Sequence, residues 1–362
     1  MNFNLFFIVF LSSFSTAFIL LPQIIKLANK KKLNFIAKDE ATGLNGRQIS
    51  NLGGVAIFIS IRVTQLLFFD IPNFPYNYFI ASLSILFLIG LNDDLIDSSP
   101  LSRFFFQALA ALVFIYSDQF FIKSLEGIFF IGTFHPIFSV LLTLLFIMGT
   151  INAYNLIDGV DGLAGSLGVV GSLFFTFLFF LIGDIGLTLL SLSLLGGCMA
   201  FLCFNISPAK IFLGDSGAYI IGFTFSVLSI KLINVVSVSP LQLFNFKISS
   251  AFSIISAIIM IPVYDSLRVF IIRLYQKKSP FKGDHNHLHH ILLRLGFSHL
   301  QIMLTLSLIT LILFFVSLLL QPLGSTISIA ILFAIMIGFN LMVNLFQNRF
   351  KTDESSVYME FK

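Results

Sequence analysis

Residues 151–168 read INAYNLIDGVDGLAGSLG. Asn152, Asn155, Asp158 and Asp161 stand three apart, and a glycine follows each aspartate, Gly159 and Gly162. Residues three apart on an α-helix are neighbours, but the stripe drifts by about 60° per step, so four of them do not share one face. A tightened 3₁₀-like end eclipses i and i+3, and the two glycines favour a break in the helix. Long apolar runs lie on both sides of the stretch, so burial of apolar surface does not account for its polarity. It reads as the end of one membrane helix and the start of the next, with the polar side chains gathered at one small site.

Working outward, the flanking runs decide the class. Of 362 residues, 57% are hydrophobic and 10% charged, with a mean hydropathy of +0.99, whereas soluble domains carry about 25% charged residues. The apolar runs are continuous rather than alternating, which excludes a β-barrel and leaves an all-α, polytopic membrane helix bundle. Each span needs about 20 apolar residues. Spans are placed at 3–24, 53–69, 78–92, 103–117, 137–151, 163–182, 187–204, 217–234, 249–265, 299–319 and 325–346, about eleven transmembrane helices in all. Residues 1–346 form one integral membrane domain, and 347–362 a polar, poorly ordered cytoplasmic tail. The 47 phenylalanines show no period and read as lipid-facing filler. Cys198 and Cys203 lie inside an apolar run and imply neither a disulfide nor a metal site. Lysines follow the first apolar segment rather than precede it, the reverse of a secretory signal, so that segment is expected to be retained as a span.

Charge sets the orientation. With the N-terminus outside and the spans alternating, the inside segments hold 17 of the 21 Lys and Arg residues; Arg62, Lys123, Lys231 and Lys247 lie outside or within spans. This is a strong positive-inside bias, and an odd number of spans puts the C-terminus inside as well. Topology therefore accounts for the net charge of +4 without a nucleic-acid partner. Arg62, inside the second span, is expected to face the bundle interior and to pair there. Residues 117–136 alternate in a way that suits a small outer β-hairpin.

The polar clusters sort to the cytoplasmic side, on segments 26–52, 92–103, 151–162, 204–217 and 265–298. They are Asn92-Asp93-Asp94 with Asp97, the Asn152–Asp161 knot, Gly214-Asp215-Ser216-Gly217, Asp265 with Arg268, and the run Gly283 to His290. Carboxylates brought together repel one another, so a site that gathers them implies a cation. All-oxygen ligands point to Mg²⁺ first and Mn²⁺ second, and Mg²⁺ takes one or two protein carboxylates plus substrate phosphates. Basic loops and glycines at helix ends suit a diphosphate. For His287, His289 and His290, phosphate or nucleotide binding leads. Zinc and plain solvated loop histidines are the competing readings, zinc being disfavoured because two of the ligands would be adjacent in sequence.

NAYNLIDGVDGLAG, FLGDSGA at 212–218, PVYDSLRV at 262–269 and SPFKGDHNHLHH at 279–290 resemble the polyprenyl-phosphate N-acetylhexosamine-1-phosphate transferases, the glycosyltransferase 4 family. The likeness covers roughly residues 20–295, and the His-Leu-His-His form resembles the undecaprenyl-phosphate N-acetylglucosamine-1-phosphate branch. It implies an enzyme of the bacterial inner membrane with its active site facing the cytoplasm. The implied reaction transfers N-acetylhexosamine 1-phosphate, N-acetylglucosamine first, from a UDP-sugar to undecaprenyl phosphate and releases UMP. That would be the first membrane step of an O-antigen, common-antigen or teichoic-acid type polymer. The resemblance assigns catalysis to Asp93, Asp94, Asp158 and Asp161, and the metal to Asp215, Asn155 and Asp94. It assigns substrate binding to Asn152, Arg268, His287, His289 and His290. In this chain the segment before Gly53-Gly54 lacks the family's histidine and proline, and Arg47 would supply the positive charge there. The expected partners are undecaprenyl phosphate, the UDP-N-acetylhexosamine and the lipid bilayer, with a homodimer allowed for. The alternatives are another UDP-N-acetylhexosamine, UDP-MurNAc-pentapeptide, or, in a different class, a secondary transporter. A transporter would place its ionisable groups near the bilayer midplane and tends to repeat its motifs; here they collect on one side, and the knot does not recur.

Overall fold

The computed structural model describes residues 3–33, 35–37, 47–68, 75–96, 98–117, 120–125, 128, 134–238, 240–243, 246–277 and 286–360. Twelve α-helices run through them: α1 Phe3–Lys31, α2 Gly53–Phe68, α3 Tyr76–Ile96, α4 Pro100–Ile115, α5 Pro136–Ile157, α6 Leu163–Ile182, α7 Ile185–Asn205, α8 Gly214–Val238, α9 Ala251–Tyr275, α10 Leu288–Arg294, α11 His299–Leu319 and α12 Gly324–Glu360. Among the described residues nine helices are long and apolar enough to cross a membrane, and α2 and α4 are shorter apolar helices. All eleven expected spans fall on helices, and the chain is a multi-pass membrane protein. Two small antiparallel hairpins complete it, β1 Phe35–Ala37 with β2 Arg47–Ile49 and β3 Leu241–Leu243 with β4 Phe246–Ile248.

Local chemistry places several helix ends. Ser99 caps α4 by accepting the Ser102 N–H, and Pro100 occupies the first turn, where its missing N–H costs nothing. Asp184 caps α7 through the Leu187 N–H. Ser298 and Gln301 form a reciprocal capping box at the start of α11. Gln321, in a 3₁₀ turn at Gln321–Leu323, accepts the Ser249 and Ser250 N–H groups beside the start of α9. Arg62 donates to Gln65 Oε1 at 2.8 Å within its own helix.

Through the polar stretch after residue 346, α12 continues to Glu360, and residues 347–360 contain neither glycine nor proline to stop it. Of the outer hairpin expected in 117–136, the described residues carry one long-range backbone hydrogen bond, from the Phe134 N–H to the Lys123 carbonyl; residues 118–119, 126–127 and 129–133 lie outside the description.

α8 is the most enclosed of the nine long helices, packed among α2, α3, α5, α6 and α9. Its approach to α2 and α3 depends on glycine. A Cβ on Gly54 would lie 2.5 Å from Gly217 Cα, and one on Gly90 2.5 Å from Ser216 Cα. The first N–H groups of α2, on Gly53 and Gly54, donate to the Phe212 and Leu213 carbonyls just before α8. The starts of α2 and α8 are thereby locked together by backbone alone.

Gly90→Ala should lower the thermal midpoint of the detergent-solubilised protein by the equivalent of about 1–3 kcal/mol, the usual cost of overpacking. Gly338→Ala, where an added Cβ meets nothing within 4 Å, should leave it unchanged or slightly higher. Equal midpoints for the two variants would contradict the close-approach account.

Candidate functional site

The knot divides at the end of α5. Asn152 and Asn155 lie on its last turns, Asp158 is its C-cap, and α6 opens after Gly162, whose φ is +81°. Asn155 donates to Asp215 Oδ1 at 2.5 Å. Asn152 pairs with Gln107 of α4, its Nδ2 donating to Gln107 Oε1 at 2.8 Å. Asp158 accepts the Gly214 N–H. Asp161 turns away from these three. It accepts the Ala209 N–H at 3.1 Å and lies 3.5 Å from His299 Nδ1 at the start of α11, and so ties the α5–α6 turn to the segment before α8.

Asp93 and Asp94 end α3, but their carboxylates do different things. Asp94, 4% exposed, accepts the Asp215 N–H at 2.7 Å on one oxygen, and the Ser216 N–H and Oγ–H at 3.1 and 2.7 Å on the other. It is a side-chain cap for the first turn of α8, where the helix dipole favours negative charge. Gly214, with φ +74°, makes this approach available: a Cβ there would lie 2.6 and 2.7 Å from the Asp94 oxygens. Asp93 accepts the Ser98 N–H at 2.5 Å and pairs with Arg103 Nε at 2.9 Å. The same guanidinium lies 3.6 Å from Asp215, and the Asp93 and Asp215 carboxyls are within hydrogen-bond reach of each other.

A second group gathers around Asp265 of α9. It accepts from His287 Nδ1 at 2.9 Å, the Leu288 N–H at 2.8 Å and Arg268 at 3.2 Å, and Arg268 also donates to the Asn286 carbonyl. The rings of His287, His289 and His290 follow one another, with neighbouring centroids 5.6 and 4.3 Å apart. The two groups meet at Gly159, where a Cβ would lie 2.5 Å from His289 Nε2. Between them opens a cavity of about 980 Å³. Arg103, Asn152, Asn155 and Asp158 line one part, and His287, His289, His290 and Arg273 another. Its remaining wall is largely apolar, from Leu145 and Phe146 on α5 and Ile259, Val263 and Phe270 on α9.

Electrostatics follow from this packing. Burial pushes the Asp158 carboxyl up to about 7, aided by the charges of Asp94 and Asp161 and opposed by the Gly214 N–H. Burial acts in the same sense on Asp161, but His299 and the Ala209 N–H outweigh it and hold that group below the usual carboxylate range. Burial depresses His289 to about 3, which favours the neutral ring at physiological pH, and among the described residues its buried Nδ1 has no hydrogen-bond partner.

The donor set suits a hard cation: Asp93, Asp215 and Asn155 offer oxygens that Mg²⁺ accepts. Among the described residues no three His, Cys, Asp or Glu side chains form a ready-made cation-binding group. Both Asp94 oxygens accept hydrogen bonds from α8, both Asp93 oxygens are engaged by the Ser98 N–H and Arg103, and Arg103 also faces Asp215, so a cation would share Asp93 and Asp215 with that guanidinium. Of the expected site residues, Asn152, Asn155, Asp158, His287, His289 and His290 line the cavity, whereas Asp93, Asp94, Asp161, Asp215 and Arg268 do not; the Arg47 side chain lies outside the described residues, as does the 278–285 part of the histidine loop. Sequence alone overlooked Arg103, Asp265, Arg273 and Gln107 as site residues. Arg103 had a signal: a cation in the first turn of a helix opposes the dipole unless a carboxylate holds it there.

The model of glycosyl transferase family 4 matches residues 76–233, which carry Asp93, Asp94, the knot and Asp215. The Bacillus subtilis (strain 168) protein named probable undecaprenyl-phosphate N-acetylglucosaminyl 1-phosphate transferase is 28% identical over 345 residues, 93% of this chain and 91% of its own. An undecaprenyl-phosphate alpha-N-acetylglucosaminyl 1-phosphate transferase of Thermotoga maritima is 29% identical, covering 73% of this chain and 75% of its own. A decaprenyl-phosphate N-acetylglucosaminephosphotransferase of Mycolicibacterium smegmatis is 31% identical, covering 71% and 68%.

An acid whose native pKa lies above its unfolded value of about 3.9 destabilises the fold once ionised. For Asp158 that cost grows as pH rises above about 4 and is complete above about 7. In divalent-free buffer, the thermal midpoint of Asp158→Asn should therefore rise relative to wild type between pH 5 and pH 8. A constant difference across that range would show that Asp158 does not titrate there.

Proposed function

The chain belongs to glycosyl transferase family 4, and we propose that it transfers N-acetylglucosamine 1-phosphate from UDP-N-acetylglucosamine to undecaprenyl phosphate, releasing UMP. One observation carries the proposal. Acidic and amide side chains from the ends of α3, α5 and α8 meet Arg103 at one end of the bundle, beside a cavity with an apolar wall and a wall of histidines. An acceptor with a long lipid chain and a phosphate head needs apolar and charged surface side by side. The positive-inside bias supports placing this end at the cytoplasmic face of the bacterial inner membrane, where a soluble nucleotide-sugar arrives.

Two anions must meet. An acceptor phosphate oxygen forms a bond to the sugar-bearing phosphorus of the donor, and the bond from that phosphorus to UMP breaks, UMP leaving with the electron pair. A phosphate monoester has its second pKa near about 6, so the acceptor is mostly dianionic at pH 7 and needs little help from a base. The residues then have to offset repulsion and hold geometry. Arg103, at the cavity edge, is placed to face a phosphate while Asp93 holds its guanidinium from behind. Asp93 thus acts as a positioning and charge-shaping group, and serves as a base at most at low pH. Asn155 orients Asp215, and Asp94 holds the turn that carries Asp215. Mg²⁺, with Mn²⁺ as a substitute, would be held by Asp215 and Asp93 with Asn155, and when bound supplies positive charge to the diphosphate and the leaving UMP. The histidines and Arg273 offer donors on the opposite wall for the nucleotide-sugar.

Purified protein with undecaprenyl phosphate and a panel of UDP-sugars should release UMP, fastest with UDP-N-acetylglucosamine, and chelation of divalent cations should stop it. Asp215→Asn should cost about 10²-fold or more in kcat and weaken Mn²⁺ binding measured by electron paramagnetic resonance without substrate. No UMP release with any UDP-sugar would refute the assignment, and unchanged Mn²⁺ affinity would remove Asp215 from the cation site. Asp93→Asn should lose the same factor in activity at pH 6 and pH 8.5; a larger loss at pH 6 would restore it as a base.

A further inference from the structure

Asp265 is 1% exposed, deep in the bundle, and is absent from the cavity lining. A carboxylate so enclosed is costly unless several donors satisfy it. Here each donor belongs to, or reaches, the histidine segment. Oδ2 faces His287 Nδ1 at 2.9 Å. Oδ1 accepts the Leu288 N–H at 2.8 Å and Arg268 Nη2 at 3.2 Å. That same Nη2 reaches the Asn286 carbonyl. Asp265 therefore holds the backbone just after His287 and one nitrogen of its ring, and Arg268 links it to the carbonyl just before.

We propose that Asp265 is a positioning residue for the nucleotide-sugar half of the site, acting through His287. Because Nδ1 is engaged by the carboxylate, the ring is fixed about its long axis, and Nε2 is the nitrogen left to meet a ligand in the cavity that His287 lines. An outer partner that orients an inner side chain contributes to affinity without touching the ligand. Anchoring α10 at Leu288 also sets the register of His289 and His290, whose rings follow His287 into the same cavity. α9 meanwhile supplies Ile259, Val263 and Phe270 to the apolar wall. Asp265 thus couples a helix of the apolar wall to the segment that would take the soluble donor. This inference rests on the proposed transferase activity.

The test is steady-state kinetics of the full-length protein with each substrate varied in turn. Asp265→Asn keeps size and one acceptor but cannot hold the ring as a carboxylate does. It should raise KM for UDP-N-acetylglucosamine about tenfold or more, as expected for losing a charge-assisted hydrogen bond, and leave KM for undecaprenyl phosphate within about twofold. In a double-mutant cycle, Asp265→Asn added to His287→Ala should raise donor KM by clearly less than the roughly tenfold it causes in wild type, because the ring through which it chiefly acts is already gone. A general structural role predicts instead that both KM values move together and that the two substitutions multiply. Either result would overturn the proposal. If Asp265→Asn is not recovered from membranes, Asp265→Glu, which keeps the charge and shifts the carboxylate by one methylene, carries the same test with the same donor-only rise expected. Wild-type protein that releases no UMP from any UDP-sugar would remove the activity and this inference with it. Wild-type activity with an unmoved donor KM in the variant would remove the inference alone.

Discussion

Both oxygens of Asp94 accept hydrogen bonds from the first turn of α8, and the rest of the site depends on that contact. A buried carboxylate without partners is costly. Two backbone N–H groups, a serine hydroxyl and the positive end of a helix around it offset part of that cost. The bond has geometric consequences. It brings the end of α3 to the start of α8, so Asp93, one residue earlier, and Asp215, one residue after Gly214, come within reach of each other. The glycines at 90 and 214 make that approach sterically available, as Gly54 does for α2 against α8.

The resulting site has two halves of opposite character. One is acidic, balanced by Arg103, and crowded enough that burial shifts the adjoining Asp158 upward. The other is built on three histidines, of which His287 is bonded to the buried Asp265. They meet at Gly159, which leaves room for the His289 ring. This division suits a reaction that joins a lipid phosphate to a nucleotide-sugar. In the reaction proposed above, the acidic half would hold the cation and the histidine half would meet the soluble donor, with the apolar wall between them.

Much of this was legible in the chain. Eleven continuous apolar runs became eleven helices, because a segment in lipid must satisfy its own backbone and the helix does so locally. The break in the knot was legible in Gly159 and Gly162. What could not be read was the direction of individual side chains. Asp158 and Asp161 share a motif and a glycine successor, yet the first faces the cavity and the second the start of α11. Asp93 and Asp94 are adjacent, so on a helix they point about 100° apart, and only the packing of α8 against α3 decides which becomes a cap. The extent of α12 beyond its apolar run was likewise unread, since hydrophobicity marks where lipid ends and not where a helix does.

The sequence by itself determined that the chain crosses a membrane many times, that its polar motifs gather at one end, and which residue types the chemistry draws on, because these follow from composition, period and local backbone preference. Tertiary structure alone decided which carboxylate caps α8, which pair with Arg103, and that Asp265 bonds to the His287 ring and the Leu288 N–H. The reason is that each of these roles is a contact between residues far apart in the chain, set by the rotation and crossing of packed helices, and no local pattern encodes it.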